Sequence, residues 1–315
     1  MFNKNSKIFL AGHKGLVGSA LLRLLQKENY KNIVVKNRTE LNLLNTEKVF
    51  AFFDKEKPEI VFLAAAKVGG IFANMQYPAD FIYQNLQIQN NIIHAAYKYN
   101  VKKLLFLGSS CIYPKYSQQP IKEHYLLSSN LEESNKAYAI AKISGLISCQ
   151  AYKEQYNCNF ISVMPTNLYG PNDNYDKNNS HVIAALIRKF HFAKIKKEQH
   201  VIVWGSGNAR REFMFVDDCV RAIIFIMHKY NEPDPINIGV GKDITIKELA
   251  CIIKDIVNFQ GDIIFDCEKP DGTPRKLLDI SKLIALDFNT KSYISLKKGL
   301  LMTYKHFMKN LKNEL

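Results

Sequence analysis

Three glycines at intervals of three, in Gly12-His13-Lys14-Gly15-Leu16-Val17-Gly18, separate a short apolar run at Ile8–Ala11 from a helical pattern over Leu16–Gln26. Glycine spacing alone is a weak signal, because several loop types produce it. Between a strand and the start of a helix it is much stronger. In that setting Gly12 permits a tight turn, Gly15 lets a pyrophosphate approach the backbone, and Gly18 lets the helix close on the strand. The helix start then offers its free N–H groups to phosphate. The loop predicts a dinucleotide held at the mouth of a doubly wound parallel sheet.

The rest of the first half agrees. Strand-like runs at Ile33–Val35, Ile60–Ala65, Lys103–Leu107 and Phe160–Met164 alternate with helical patterns at Val49–Lys55, Phe81–Tyr99 and Tyr138–Tyr156. Ile60–Ala65 is continuously apolar, as a strand covered on both faces should be. Strands alternating with helices define βαβ units, and hence an α/β fold of the Rossmann type. After Tyr169-Gly170-Pro171 the pattern loosens into a polar loop at Asn172–Asn179. Ser180 is placed to cap a helix reaching about Ala193, followed by a strand at Val201–Trp204, a helix at Val216–His228 and a strand at Ile236–Ile238. From Ile246 onward the pattern gives two more amphipathic helices separated by Ile263–Phe265. The expected organisation is an NADP-binding Rossmann domain of residues 1–170 plus about 214–240. A smaller mixed α/β substrate domain takes about 171–213 plus 241–315.

Composition narrows the function classes. The 315 residues are 47% hydrophobic and 23% charged, which excludes a disordered chain and allows a core without disulfides or metals. The longest apolar stretches, Ile60–Ala66 and Ala222–Met227, fall far short of the ~18 residues of a membrane span. Met1–Phe9 lacks the apolar segment and cleavage site of a secretory signal. A soluble, cytoplasmic protein is the expectation. The formal net charge of +14 admits nucleic acid, an acidic membrane surface or an anionic small substrate. The charge is dispersed, Lys194–Lys197 and Lys305–Lys312 being the nearest approaches to a basic block. With no nucleic-acid-binding motif, neither nucleic acid nor membrane is expected as a partner. The cysteines Cys111, Cys149, Cys158, Cys219, Cys251 and Cys267 form no CxxC pair and match no zinc or disulfide spacing, so no metal is expected. All but Cys111 read as small buried hydrophobes.

The end of the second strand discriminates between cofactors. An NAD site usually carries Asp or Glu there for the ribose 2′-hydroxyl. This chain has Val35-Lys36-Asn37-Arg38, and Arg38 with Lys14 suits a 2′-phosphate, although Glu40 two residues later stands against it. NADP(H) is the expected cofactor. Tyr138-Ala139-Ile140-Ala141-Lys142 puts a phenol and an ammonium on one face of a helix, where the cation is expected to lower the phenol's pKa. Such a pair alone is usually a solvated helical face. Leu107-Gly108-Ser109-Ser110-Cys111, however, follows a strand that opens on the crevice, so Ser109 can hydrogen-bond a substrate carbonyl. The combination is far more specific than its parts.

With these motifs in hand, the sequence resembles the GDP-L-fucose synthase (GDP-4-keto-6-deoxy-D-mannose 3,5-epimerase/4-reductase) family of extended short-chain dehydrogenases/reductases. The stretches that carry the resemblance are AGHKGLVGSA, RTELNLLN, AAAKVGGI, YPADFIYQN, GSSCIYPK, YAIAK, MPTNLYGPNDN, NSHVIAALIRKFH, VIVWGSGNARREF and KPDGTPRKLLD. They span nearly the whole chain. The resemblance implies that Tyr138 protonates a C4 oxygen, that Lys142 binds the nicotinamide ribose, and that Ser109 orients the keto group. It implies that Cys111 and His181 carry out epimerisation at C3 and C5. It further implies cofactor contacts from Leu16, Val17, Leu41, Ala65, Leu107 and Gly108, with Pro165, Asn167, Leu168 and His181 completing them. Ser110, Asn167, Lys189, Trp204, Arg211 and Asp271 would meet a GDP-linked keto sugar. A homodimer is implied too, through the helices Phe81–Tyr99 and Tyr138–Tyr156. Taken alone, Trp204 would read as core, Lys189 as a helix flank and Asp271 as an Asp-Gly turn.

Epimerisation makes chemical sense beside a C4 ketone, because the C3 and C5 hydrogens are acidified by enolate formation. A thiolate and an imidazole can remove and return a proton on opposite faces. If Ser180 caps the following helix, His181 sits at its positive end, which disfavours imidazolium. Two other readings stay open. One is a C4 reductase only, acting on a GDP-4-keto-heptose or related sugar. A non-catalytic NADP-binding protein is the other, though it would be expected to lack Ser109, Tyr138 or Lys142.

Overall fold

The computed structural model describes residues 2–177, 179–269 and 271–314. Strands β1 (Ile8–Ala11), β3 (Ile60–Leu63), β5 (Phe160–Pro165) and β9 (Ile236–Ile238) are buried along their whole length. Strands with no wet face must be covered on both sides. With β2 (Ile33–Val34) and β4 (Lys103–Leu107) they form a six-stranded parallel sheet in the order β2-β1-β3-β4-β5-β9. The order reverses between β1 and β3, and the carboxyl ends of those strands frame the crevice.

One face is covered by α1 (Leu16–Lys27) and α7 (Val216–Lys229), through Leu21, Leu25, Val220, Ile223 and Met227. The other is covered by α2 (Thr46–Glu56), α4 (Pro78–Lys98) and α5 (Lys136–Tyr156), through Val49, Phe53, Ile92, Ala96, Leu146 and Cys149. A short α3 (Ile71–Gln76) precedes α4. Helices α4 and α5 lie against each other, where Gln89 Nε2 donates to the Ala141 carbonyl at 2.7 Å. Asn45 caps α2 by accepting from the Lys48 N–H at 2.8 Å, so that helix starts before the apolar pattern that marks it.

A second set of elements extends from the carboxyl side of this sheet. Strand β8 (Arg210–Phe215) is its hub, antiparallel to β10 (Asp243–Thr245) and parallel to β6 (Asn167–Tyr169) and β12 (Arg275–Lys276). Strands β7 (His200–Trp204) and β11 (Asp262–Asp266) pair in parallel apart from it. A third apolar cluster gathers α6 (Val182–Lys196), α8 (Ile246–Val257) and α10 (Leu296–Glu314), through Ile187, Phe190, Leu249, Ile253 and Leu300. The short α9 (Ser281–Ala285) instead places Leu283 in the first cluster.

The cysteine reading needs correction. Cys149 and Cys219 are buried, but Cys251 and Cys267 are exposed. Cys251 falls on the outward face of α8 and Cys267 in the turn after β11. Among the described residues no helix is long and apolar enough to cross a membrane.

Candidate active site

The crevice at the carboxyl ends of the strands continues under β8 as one cleft of about 1380 Å³. At its first end, Gly12 has φ 93° and a Cβ there would stand 2.7 Å from the Ala65 nitrogen. A Cβ on Gly18 would stand 2.0 Å from the Gly12 carbonyl oxygen. The fold itself demands both glycines. Gly15 is different: its Cβ would approach only the Gly12 oxygen, at 3.5 Å, and it lines the cleft. Helix α1 begins at Gly15 with no side-chain cap and no acidic residue in its first turn. Its leading N–H groups are thus free of internal acceptors from side chains, and the positive end faces a space an anion can fill.

Lys14, Leu16, Val17, Arg38, Leu41 and Ala65 line this end, with Leu107, Gly108, Pro165 and Leu168. Arg38 has no ion pair among the described residues. Glu40, the objection raised from sequence, lies outside the lining. It accepts the Asn37 N–H at 2.8 Å and stands 3.8 Å from Lys36. The residues present therefore fit a dinucleotide carrying a 2′-phosphate.

At the middle of the cleft, Ser109 starts a 3-10 turn, Ser110–Ile112, by accepting the Cys111 N–H at 3.3 Å. The turn brings Ser109, Ser110 and Cys111 into the cleft lining, which also includes Tyr138 and His181, with Ser109 in hydrogen-bonding reach of the Tyr138 phenol. Burial pushes the Tyr138 phenol above its usual range, with the Cys111 charge adding to the effect and a Ser109 hydrogen bond opposing it. The expected lowering by Lys142 is not what the structure has. Lys142 is the one sequence-predicted residue that does not line the cleft. Its ammonium donates to the Leu107 carbonyl at 2.7 Å, and burial lowers its pKa to about 8.

Helix α6 starts one residue later than expected. His181, not Ser180, is its N-cap residue; its carbonyl accepts the Ala185 N–H at 2.8 Å, but its side chain caps no N–H of the helix. The imidazole opens onto the cleft yet is enclosed by its walls. That enclosure lowers its pKa, and the Lys276 ammonium lowers it further. Burial pushes the Cys111 thiol up, while Lys276 is the largest influence pulling it down, ahead of Ser109 and Lys142. Lys276, on β12 opposite Arg211, was not singled out by sequence. Its place depends on strand pairing, which no periodicity reveals. Asp173 was also missed. It lines the cleft, and burial of its carboxyl raises the pKa to about 7.

At the far end the lining includes Asn167, Lys189, Trp204, Arg211 and Asp271. Trp204 is 52% exposed and so is not a core residue. The ammoniums of Lys189 and Lys269 stand 5.7 and 5.8 Å from its ring. Lys189 also donates to the Ile202 carbonyl at 2.9 Å. Asn167 Nδ2 donates to the Glu212 carbonyl at 2.8 Å. The Asp271 carboxylate accepts both the N–H and the hydroxyl of Ser206 at 2.8 Å, tying its loop to the one after β7. Arg211 donates to the Arg210 and Asp271 carbonyls at 2.8 and 3.3 Å. A cationic, partly aromatic wall of this kind suits a nucleoside diphosphate.

Fold and site together define a nucleotide-binding oxidoreductase or epimerase with a composite cleft. The chain belongs to the NAD dependent epimerase/dehydratase family, whose model matches residues 8–239. It is 54% identical over 313 residues to GDP-L-fucose synthase 1 of Arabidopsis thaliana, covering 99% of this chain and 96% of that protein. Among solved structures, a GDP-6-OMe-4-keto-L-xylo-heptose reductase from C. jejuni superposes with a TM-score of 0.94 at 40% identity, over 98% of this chain and 99% of that one. A GDP-L-fucose synthetase from Naegleria fowleri bound to NADP gives 0.92 at 29%, over 99% and 97%.

Proposed function

We propose that the protein is an NADPH-dependent enzyme of nucleotide-sugar biosynthesis that epimerises a GDP-4-keto-6-deoxy sugar at C3 and C5 and then reduces it at C4. The observation that carries this reading is that Cys111 and His181, both under the Lys276 charge, line the same cleft as Ser109 and Tyr138, which themselves lie within electrostatic reach of Cys111. Epimerisation gives the thiol and imidazole an acid–base task that C4 reduction alone does not require. The relation to GDP-L-fucose synthases and the NADP-bound relative support the substrate class and the cofactor.

Bound at the glycine loop, the cofactor supplies a hydride for C4. Tyr138 gives its proton to the C4 oxygen, and its raised pKa keeps that proton in place at neutral pH. Ser109 hydrogen-bonds the same oxygen and, before reduction, the enolate that epimerisation creates. Lys142 holds the nicotinamide ribose, and Arg38 with Lys14 holds the 2′-phosphate. Asn167 contacts the sugar, while Lys189, Trp204, Arg211 and Asp271 receive the nucleotide end.

The clustering of apolar residues supports two domains, residues 1–170 plus about 214–240 and about 171–213 plus 241–315, although α9 packs through Leu283 on the first. Helix α7 packs on α1 and so belongs with the first. Exposed Tyr83, Ile140 and Ile147 on α4 and α5 support a homodimer through those helices. We place the enzyme in the cytoplasm.

A second reading, C4 reduction alone of a GDP-4-keto-heptose, is favoured by the heptose reductase with a TM-score of 0.94. Incubation with GDP-4-keto-6-deoxy-D-mannose in D2O without NADPH separates the two. Deuterium uptake at C3 and C5 that depends on Cys111 and His181 is expected. No uptake, with NADPH consumed once it is added afterwards, would leave the plain reductase.

A further inference from the structure

Lys276 is fixed from two sides. On one side β12 pairs with β8, Lys276 opposite Arg211. On the other, Ile121 donates its N–H to the Leu277 carbonyl at 2.7 Å, and Leu277 donates its own to Gln119 Oε1 at 2.9 Å. Gln119 Nε2 in turn donates to the Arg275 carbonyl at 3.1 Å. Residues 119–121 belong to the segment that runs on from the Cys111 turn. The thiol and the ammonium are therefore mounted on two segments stitched together, and both line the cleft.

The charges around Lys276 are otherwise committed. Glu132, the carboxylate whose field reaches it, pairs with Lys115 at 2.9 Å. Arg211 is bound to two backbone carbonyls, and Lys142 to a third. His181 and Tyr138 carry no negative charge at neutral pH. Among the described residues no carboxylate pairs with Lys276, so a half-buried ammonium at the cleft wall lacks a permanent counter-charge. The groups that feel it are Cys111 and His181. A positive charge favours an anion on sulfur and disfavours a cation on imidazole, so it drives the thiol toward thiolate without charging the histidine.

We propose that Lys276 is the counter-charge that makes Cys111 the base of the epimerisation, a positioning residue that acts through the thiolate. This rests on the epimerase reading given above. In the step, sulfur takes the proton from the carbon beside the C4 ketone. The C–H electron pair forms the enolate, whose oxygen is held by Ser109 and Tyr138. A water held by the neutral imidazole of His181 gives a proton to the opposite face, and the hydroxide left behind takes the proton from the Cys111 thiol, restoring thiolate and water with no net redox change.

The test is the pH dependence of iodoacetamide alkylation at Cys111, followed by peptide mass in the full-length wild-type, K276M and K276R proteins. The midpoint is expected to rise by about one unit or more in K276M and to stay near wild type in K276R. NADPH affinity should be unchanged in both. An unchanged midpoint in K276M overturns the proposal. K276Q replaces K276M if the latter fails to fold. Deuterium uptake from D2O into saturating GDP-4-keto-6-deoxy-D-mannose should fall about tenfold in K276M near neutrality and recover at higher pH. A raised KM with an unshifted pH profile would mean that Lys276 holds the diphosphate instead, and that overturns the proposal. No uptake by the wild-type protein overturns the epimerase reading itself. The alkylation midpoint, which needs no sugar, tells that failure apart from a failure of this proposal.

Discussion

The Lys142 ammonium lies 5.9 Å from the Tyr138 ring and 4.9 Å from that of Phe106, with its proton donated to the Leu107 carbonyl. Enclosure by apolar neighbours disfavours the charged form, and its pKa falls to about 8. Below that value the ammonium is present, and above it the charge is lost. If Lys142 must be charged to hold the ribose, kcat/KM for NADPH declines about tenfold per pH unit above about 8, since that parameter reports the free enzyme. A profile flat from pH 7 to 10 would exclude the role. The same residues show what sequence can and cannot convey at this scale. Tyr138 and Lys142 are legible as a pair because helical spacing fixes their relation. The sign of the phenol's shift is not, because burial depends on the whole fold. Lys276 reaches Cys111 only because β12 docks on β8, so no local spacing points to it.

Helix α1 owes its position to a loop in which two glycines serve the fold and one serves the ligand. Gly18→Ala would drive a methyl to 2.0 Å from a backbone oxygen, whereas Gly15→Ala meets nothing closer than 3.5 Å. Gly18→Ala is therefore expected to lower the melting temperature by several degrees, the loop having to open, at about 1–3 kcal/mol. Gly15→Ala should melt close to wild type yet bind NADPH at least about tenfold more weakly, because the methyl stands where phosphate approaches. Thermal melts and a fluorescence titration of NADPH check both, and equal melting losses would erase the distinction. Elements that serve one contiguous core were readable from the chain. Strands β1, β3, β4, β5 and β9 are buried runs, and α1 and α7 carry clear apolar stripes. Those whose reason lies elsewhere were not. Strand β8 is half polar, β10 and β12 are too short for a pattern, and α3 exposes Ile71 and Phe72 at the cleft and Met75 beside it. Helix α4 starts at Pro78 rather than Phe81, a position proline favours at a helix start.

The two halves of the molecule meet at a buried carboxylate. Glu212 on β8 is fully buried. Its Oε1 accepts the N–H groups of Val240 and Gly241 at 2.6 and 2.7 Å, just beyond β9, and its Oε2 accepts that of Leu278 at 3.0 Å. Its carbonyl accepts from Thr166 and Asn167. The hub strand of one half is thereby pinned to the sheet of the other, across the floor of the cleft. Desolvation outweighs these hydrogen bonds and raises the carboxyl from 4.5 to about 6. A raised folded-state pKa means that the native state holds its proton more tightly than the unfolded chain. The associated stability is complete below about pH 4.5 and fades as pH climbs through 6, by about 2 kcal/mol in all. Glu212→Gln has one acceptor oxygen facing three N–H groups, so it should cost about 1–3 kcal/mol through an unsatisfied donor. The variant cannot titrate there. Its deficit against wild type should therefore be largest near pH 4.5 and narrow by about 2 kcal/mol toward pH 7. Asp173, whose pKa is also raised, contributes equally to both proteins and cancels in the difference. Urea unfolding of both proteins across that range measures the gap. A gap that widens with pH would mean the three N–H groups outweigh desolvation, and that the joint between the halves is held by an anion.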